Sequence, residues 1–232
     1  RLGIAATVLN AAFNVVLIPR YGAFGAALGT VTANLIIAAV GSAMVMSGRY
    51  AVRVPRPLTL APEWAIIRAI FRFGLPTGLQ GIAMNVAGVL LLRFIGSLEY
   101  SAAAQAAYAV GYTELFSLIT WTSVGLMSAT ATIAGQNLGA GKPERSIAGA
   151  WVAARIGLGV AAVVGLAFVT VPSALLGVFG MRDAHVLEIG TGLLQYLAVS
   201  GFFVTVALVY NGALQGTGDT TSPFYISLVS QI

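Results

Sequence analysis

The sequence contains no cysteine, one histidine and seven acidic residues among its 232 positions. Without cysteine, the chain forms neither disulfides nor thiolate metal sites. The few acids and the single histidine, His185, provide no acid pair, nucleophile–base set or metal cluster at workable spacing. We therefore expect a protein that is not an enzyme and that carries no cofactor.

Charge of either sign is also scarce. Charged residues make up 8% of the chain and hydrophobic residues 58%, with a mean hydropathy of +0.91. This composition predicts an all-α, polytopic helical membrane protein rather than a soluble domain. The net charge of +5 does not indicate a nucleic-acid partner, because the basic residues lie mainly in loops between apolar spans. Membrane lipids are the expected surroundings.

The apolar runs divide the chain into six predicted spans and the start of a seventh. A span of about 20 residues is about 30 Å long, which is the thickness of the hydrocarbon core. The chain begins with Arg1 and enters apolar sequence at once, so we expect an internal piece of a longer protein. The predicted spans are residues 2–18, 23–46, 75–95, 101–134, 147–169 and 186–214, with residues 224–232 opening the seventh.

Basic residues predict the orientation. If the loop at residues 47–73 is cytoplasmic, eight basic residues lie inside, and three, Arg20, Arg93 and Arg182, lie at the other side. We expect a multi-pass protein of the plasma (inner) membrane of a bacterium. Residues 63–74 fit either a short amphipathic helix in the interface or an extension of the next span. The eight are Arg1, Arg49, Arg53, Arg56, Arg68, Arg72, Lys142 and Arg145.

Glu114 is the one acid inside a long apolar segment. A regular helix from Ser101 places it about 20 Å along the axis, near or somewhat past the midplane. It shares a predicted face with Ser117, Leu118 and Trp121. A carboxylate, a hydroxyl and an indole on one face could receive a lipophilic cation. The alternatives are a structural glutamate bonded to a neighbouring helix and a misplaced glutamate that faces lipid.

Other polar residues within spans are candidates for a substrate or ion site. Gln80 and Asn85 lie in the third span and Asn211 in the sixth, and packing between helices is the alternative role for such amides. Arg155, in the fifth span, either pairs with Glu114 or extends to the cytoplasmic headgroups. In the first span, Asn10 and Asn14 either bond a neighbouring helix or line a polar cavity.

Two polar turns carry a family resemblance. GQNLGAGKPERS at residues 135–146 follows the fourth span, and GALQGTGDTTSP at residues 212–223 follows the sixth. With FGLPTGLQ at residues 73–80 and GAFGAALGT at residues 22–30, the chain resembles the multidrug and toxic compound extrusion (MATE) family. The resemblance covers nearly the whole chain. We interpret the turns as structural or gating elements, with Asp219 capping a helix or bonding the turn.

The resemblance implies a twelve-helix protein built from two six-helix bundles. Residues 1–46 would be the last two helices of the N-terminal bundle, residues 47–73 a cytoplasmic linker with an amphipathic helix, and residues 74–232 helices seven to part of eleven. It also implies export of small cationic or amphipathic organic compounds in exchange for protons or sodium, by a full-length monomer. Two alternatives from the sequence are a lipid-linked saccharide flippase of the same superfamily and a non-transporting membrane scaffold.

The chain departs from some branches of that family. Those branches carry acids in helices seven and ten, where this sequence has only amides, including Gln80, Asn85, Gln195 and Asn211. Glu114, in TELFSL, is similar to an acidic position of the DinF-like branch. That branch is thought to couple ions through an aspartate in helix one, which lies outside this sequence. The resemblance therefore leaves the principal coupling residue open.

Overall fold

A computed structural model describes residues 2–48 and 61–231, with side chains up to residue 229. These residues are helical throughout apart from short turns, which confirms the all-α prediction. Five helices are long and apolar enough to cross a membrane. The elements are α1 (Leu2–Met46), α2 (Trp64–Gly96), α3 (Ser101–Tyr108), a π segment (Ala109–Leu115), α4 (Ser117–Gly139), α5 (Pro143–Thr170), α6 (Pro172–Val178), α7 (Ala184–Gly216) and α8 (Thr221–Gln231).

Helix α1 is two antiparallel arms joined at Gly22. Its 45 residues would extend about 68 Å, more than twice the hydrocarbon thickness. Gly22 has φ 56° and ψ −135°, a conformation that other residues rarely adopt. The arms then approach closely, because a Cβ on Gly25 would lie 2.6 Å from the carbonyl carbon of Leu17. The two predicted spans and the reversal between them are confirmed.

The asparagines of the first arm join it to the second. The Asn10 side-chain amide donates a hydrogen bond to Thr30 Oγ1 at 3.0 Å, and Asn14 donates to Asn10 Oδ1 at 3.1 Å. Asn14 Oδ1 is buried and has no hydrogen-bond partner among the described residues. Of the two alternatives for this pair, the structure supports bonding to a neighbouring helix.

Residues 63–232 form a second compact unit whose centre is α4, α5 and α7. Large apolar side chains fill the core between these helices. Small residues let the helices approach: a Cβ on Gly165 would lie 3.3 Å from the carbonyl oxygen of Ala198. The main buried side chains are Ile119, Phe168, Leu176, Leu194 and Val209.

Helices α4 and α7 run parallel and touch backbone to backbone near their C-terminal ends. A Cβ on Gly212 would lie 2.9 Å from Met127 Cα, and one on Gly216 would lie 2.6 Å from Ala131 Cα. In each case the carbonyl oxygen of the facing residue is nearer still. Gly212 and Gly216 are four residues apart, as in the GxxxG contacts of membrane helices. The string GALQG is thus a helix-packing element as well as the start of a turn.

Helix α2 is continuous over 33 residues, about 50 Å. Residues 64–73 are its first turns, so the structure supports an extension of the next span rather than a separate helix lying in the interface. They group with residues 74–232, whereas the chain up to Pro62 groups apart. The three linker arginines at positions 49, 53 and 56 lie outside the described residues. The division of the chain at residues 46 and 73 stays a prediction.

Candidate functional site

The helix that carries Glu114 changes its winding at that point. Residues Ala109–Leu115 form a π segment, in which the backbone N–H of Phe116 donates to the Gly111 carbonyl at 3.0 Å, five residues back. Ser117 Oγ donates to the Glu114 backbone carbonyl at 2.5 Å, satisfying a group at the end of the widened turn. The sequence predicted a regular α-helix here. Short π segments occur frequently at functional sites.

The π segment also packs against α7. Gly111 faces α7 so closely that a Cβ there would lie 3.0 Å from Leu193 Cδ2. Leu115 and Phe116 are buried on the same inner side. Tyr112 stacks between Tyr108 and Phe116, with ring centroids 5.0 and 5.5 Å apart. The extra residue per turn therefore keeps an aromatic row together while the chain packs on α7.

Glu114 lies on the opposite, exposed side. Its carboxylate makes no hydrogen bond or ion pair with any residue that the structure describes. The α3–π–α4 helix runs from Ser101 to Gly139, so its midpoint is near residue 120. Glu114 lies about 9 Å on the Ser101 side of that midpoint. The prediction that Glu114 lies near or somewhat past the midplane was measured from Ser101 against a 30 Å hydrocarbon core, and it stays a prediction.

The predicted face around Glu114 is present in part. Leu118 and Trp121 are exposed, Trp121 to 73%. Ser117 is half-buried, and its hydroxyl is engaged with the backbone carbonyl, so it is no partner for the carboxylate. The grouping of a carboxylate, a hydroxyl and an indole as a site for a cation stays a prediction.

Gln80 lies at a different place, where α2, α7 and α8 meet. Gln80 is 8% exposed; its amide donates to Ser227 Oγ at 2.5 Å and its oxygen accepts from Gln215 Nε2 at 3.4 Å. Asn211, also 8% exposed, lies one helical turn before Gln215 on the same face of α7. We call Gln80, Gln215 and Ser227 the amide cluster; no hydrogen bond joins Asn211 to it among the described residues.

The amide cluster is a junction between three helices, and of its members sequence reasoning named only Gln80. The i, i+4 spacing of Asn211 and Gln215 was the available signal for Gln215. Ser227 sits in the short, last predicted span and had no such signal. No hydrogen bond joins the amide cluster to Glu114 among the described residues.

Asn85 and Arg155 lie apart from both groups. Asn85 is exposed on α2 and donates to the Gly81 carbonyl of its own helix at 2.8 Å. Arg155 is exposed on α5, with its guanidinium carbon 5.9 Å from the Trp151 ring centroid. The alternative in which Arg155 pairs with Glu114 is not formed within the described parts of the chain. Its geometry fits the other alternative, extension toward the headgroups.

Asp219 caps the N-terminal end of α8. Its carboxylate accepts hydrogen bonds from the backbone N–H groups of Thr221 and Ser222, at 3.2 and 2.9 Å, and from Ser222 Oγ at 2.6 Å. The Ser222 side-chain hydrogen bond and the two backbone bonds hold the pKa of Asp219 below its ordinary value. The predicted capping role is confirmed. Gly218, with φ 91°, makes the preceding reversal.

Comparison with known proteins gives the family. A sequence model of the MatE family matches residues 76–232, more than half of the chain. The chain belongs to the MATE family. A MATE crystal structure in the straight conformation superposes with a TM-score of 0.78 at 18% identity, covering 98% of this chain and 52% of that one. A MATE P26A mutant structure gives 0.78 at 19% identity, with 96% and 50% covered. These likenesses show the fold of a multi-pass membrane protein.

This member of the MATE family also resembles curated bacterial proteins, each named "Probable multidrug resistance protein NorM". The protein of Deinococcus radiodurans is 30% identical over 225 residues, covering 92% of this chain and 46% of its own length. Those of Pseudomonas putida and Thermotoga maritima are 29% and 27% identical, with 96% and 91% of this chain and 50% and 44% of the relatives covered. The chain spans about half the length of these relatives. None of these comparisons specifies the DinF-like branch.

Proposed function

We propose that the protein is a secondary active antiporter that exports cationic or amphipathic organic compounds in exchange for protons or sodium. MATE membership and the names of the bacterial relatives support drug efflux. We place it in the inner membrane of a bacterium, as a full-length monomer, without a cofactor other than the coupling ion.

The observation that carries the proposal is the position of Glu114. An ionised carboxylate within a membrane span costs several kcal/mol unless it is paired, hydrated or protonated. Glu114 has no partner among the described residues and faces outward from a π segment. A carboxylate in this position can bind the coupling cation or the organic cation, but not both at once. Trp121 adds an exposed indole face, which attracts such cations.

The experiment uses the full-length protein in proteoliposomes, with a pH or a sodium gradient imposed and a fluorescent organic cation as substrate. Wild type is compared with Glu114→Gln, and Glu188→Gln serves as the matched control. Glu188 is also an exposed acid, but it lies near the start of α7. We expect gradient-driven flux to fall at least about tenfold in Glu114→Gln and to persist in the control.

Each outcome has a separate meaning. If wild type moves no cation under either gradient, the antiport proposal is rejected. If Glu114→Gln transports as well as wild type, antiport stands but Glu114 is structural.

Trp121→Leu should raise the KM for an aromatic cation more than Trp121→Phe does, because the indole provides the stronger cation–π face.

A further inference from the structure

Arg155 is a cation on the outward surface of α5, surrounded by apolar side chains. Val152, Ile156 and Val163 on the same helix are between 55% and 72% exposed. No acidic residue forms an ion pair with Arg155 in the described ranges. An exposed guanidinium at this depth needs a counter-charge, because hydrocarbon cannot solvate it. The surface itself therefore indicates an anionic ligand that reaches into the membrane.

The depth of Arg155 identifies that ligand as a lipid phosphate. Helix α5 has 28 residues and is about 42 Å long, so when it is centred upright in a 30 Å hydrocarbon core it overhangs the core by about 6 Å at each end. Trp151 then lies about 6 Å and Arg155 about 12 Å below the edge. The stacking on Trp151 directs the guanidinium back toward the start of α5, where phosphates are nearest. A free anion from water would have to cross the apolar layer to reach it.

Glu144 supplies the second half of a headgroup site. It is exposed in the overhanging first turn of α5. At 100° per residue, Trp151 and Arg155 lie within about 20° of Glu144 around the helix. The intervening residue on this face is Ala148, which is small and exposed. The face thus presents an acid at headgroup level, an indole below it and a guanidinium deeper still.

We propose that Glu144, Trp151 and Arg155 bind the headgroup of a phospholipid with a primary ammonium, of the phosphatidylethanolamine type. Arg155 holds the phosphate, with the bidentate geometry that guanidinium groups offer. The ammonium, two carbons away, points outward to the Glu144 carboxylate. Phosphatidylglycerol lacks the ammonium, and the quaternary ammonium of phosphatidylcholine has no N–H to donate. Arg145, about 100° around the helix from Glu144, is outside this face.

The test measures which lipid lies beside Trp151 in the full-length protein, with Trp151 kept as its only tryptophan. The protein is placed in phosphatidylcholine vesicles with a minor fraction of a brominated lipid, whose acyl chains quench indole fluorescence. Brominated phosphatidylethanolamine, phosphatidylglycerol and phosphatidylcholine are compared. We expect about two- to fivefold excess quenching by phosphatidylethanolamine, the range typical of exposed ion pairs.

Three variants separate the contributions. Arg155→Gln should remove the excess, and Glu144→Gln should make phosphatidylethanolamine and phosphatidylcholine equivalent. Arg145→Gln, with the same charge change as Arg155→Gln on another face, should keep the preference. Thermal unfolding in detergent verifies that each variant is folded.

The proposal is overturned by equal quenching from the three lipids in wild type, or by a preference for phosphatidylglycerol. It is also overturned if Arg145→Gln and Arg155→Gln behave alike. Transport is not measured, so the outcome is independent of the antiport proposal.

Discussion

The contact between α4 and α7 makes the sharpest stability prediction. In Gly212→Ala, the new methyl would lie 2.9 Å from both Cα and the carbonyl carbon of Met127, and nearer to the carbonyl oxygen. These are backbone atoms of a helix, so no side-chain rotation relieves the clash. The helices must separate by about 1 Å, and overpacking of this kind costs roughly 1–3 kcal/mol. Weak Cα–H···O contacts are lost as well.

The stabilisation that alanine gives a helix relative to glycine opposes this cost, but it is small. Replacing glycine by alanine stabilises a helix by roughly 0.5–1 kcal/mol in water, where the unfolded chain is disordered. A membrane helix stays helical before it packs, because its backbone must remain hydrogen-bonded in lipid. We therefore expect Gly212→Ala to lower the free energy of unfolding by about 1–2 kcal/mol. Gly216→Ala, which faces the backbone of Ala131, should cost a similar amount.

The assay is equilibrium unfolding of the full-length protein in mixed detergent micelles, followed by helical signal and by size. Gly192→Ala, on the same helix, is the matched control, because a Cβ there meets nothing within 4 Å. One separation of the helices accommodates both methyl groups, so the Gly212→Ala/Gly216→Ala double variant should cost less than the sum of the single variants. Equal stability of Gly212→Ala and Gly192→Ala would refute the close-packing argument.

Two further predictions concern a cap and a buried hydrogen bond. The Asp219 pKa is lower in the folded state than in the unfolded state, so its stabilisation is present above pH ~4 and is lost as pH falls through the folded pKa. Unfolding midpoints measured from pH 6 to 3 should fall more steeply for wild type than for Asp219→Asn, and parallel curves would contradict this. Ser123 and Thr205 share a buried hydrogen bond of 2.9 Å between α4 and α7. Thr205→Val should cost about 0.5–1.5 kcal/mol in the same unfolding assay, and adding Ser123→Ala should recover part of it, because no hydroxyl is then left unpaired.

Several predictions from the sequence were accurate because they depend on local chemistry. Long apolar runs predict spans, because a backbone in lipid must satisfy its own hydrogen bonds. The predicted spans at residues 2–18 and 23–46 leave a short turn between them, and the structure places a positive φ at Gly22 in that turn. The cap at Asp219 followed from the same turn chemistry.

The candidate site was predicted less completely. Glu114 was identified because an acid in an apolar segment is conspicuous, but the winding of its helix was not predicted. The prediction assumed 3.6 residues per turn through a segment that winds as a π-helix. The aromatic row of Tyr108, Tyr112 and Phe116 accompanies that winding and was not anticipated.

By itself, the sequence determined the class of protein, the places where the chain crosses or turns, and the residues too polar for their surroundings. These follow from the free energy of placing each side chain and peptide group in lipid, which is a property of single segments. The tertiary structure decided which polar groups meet across helices: Gln80 pairs with Gln215 and Ser227, whereas Arg155 and Glu114 do not pair in the described parts of the chain. Those pairings depend on how closely the backbones approach, and that is set by glycines facing another helix, such as Gly212 on Met127. The spacing of residues along one helix cannot show which residues of a neighbouring helix lie opposite them.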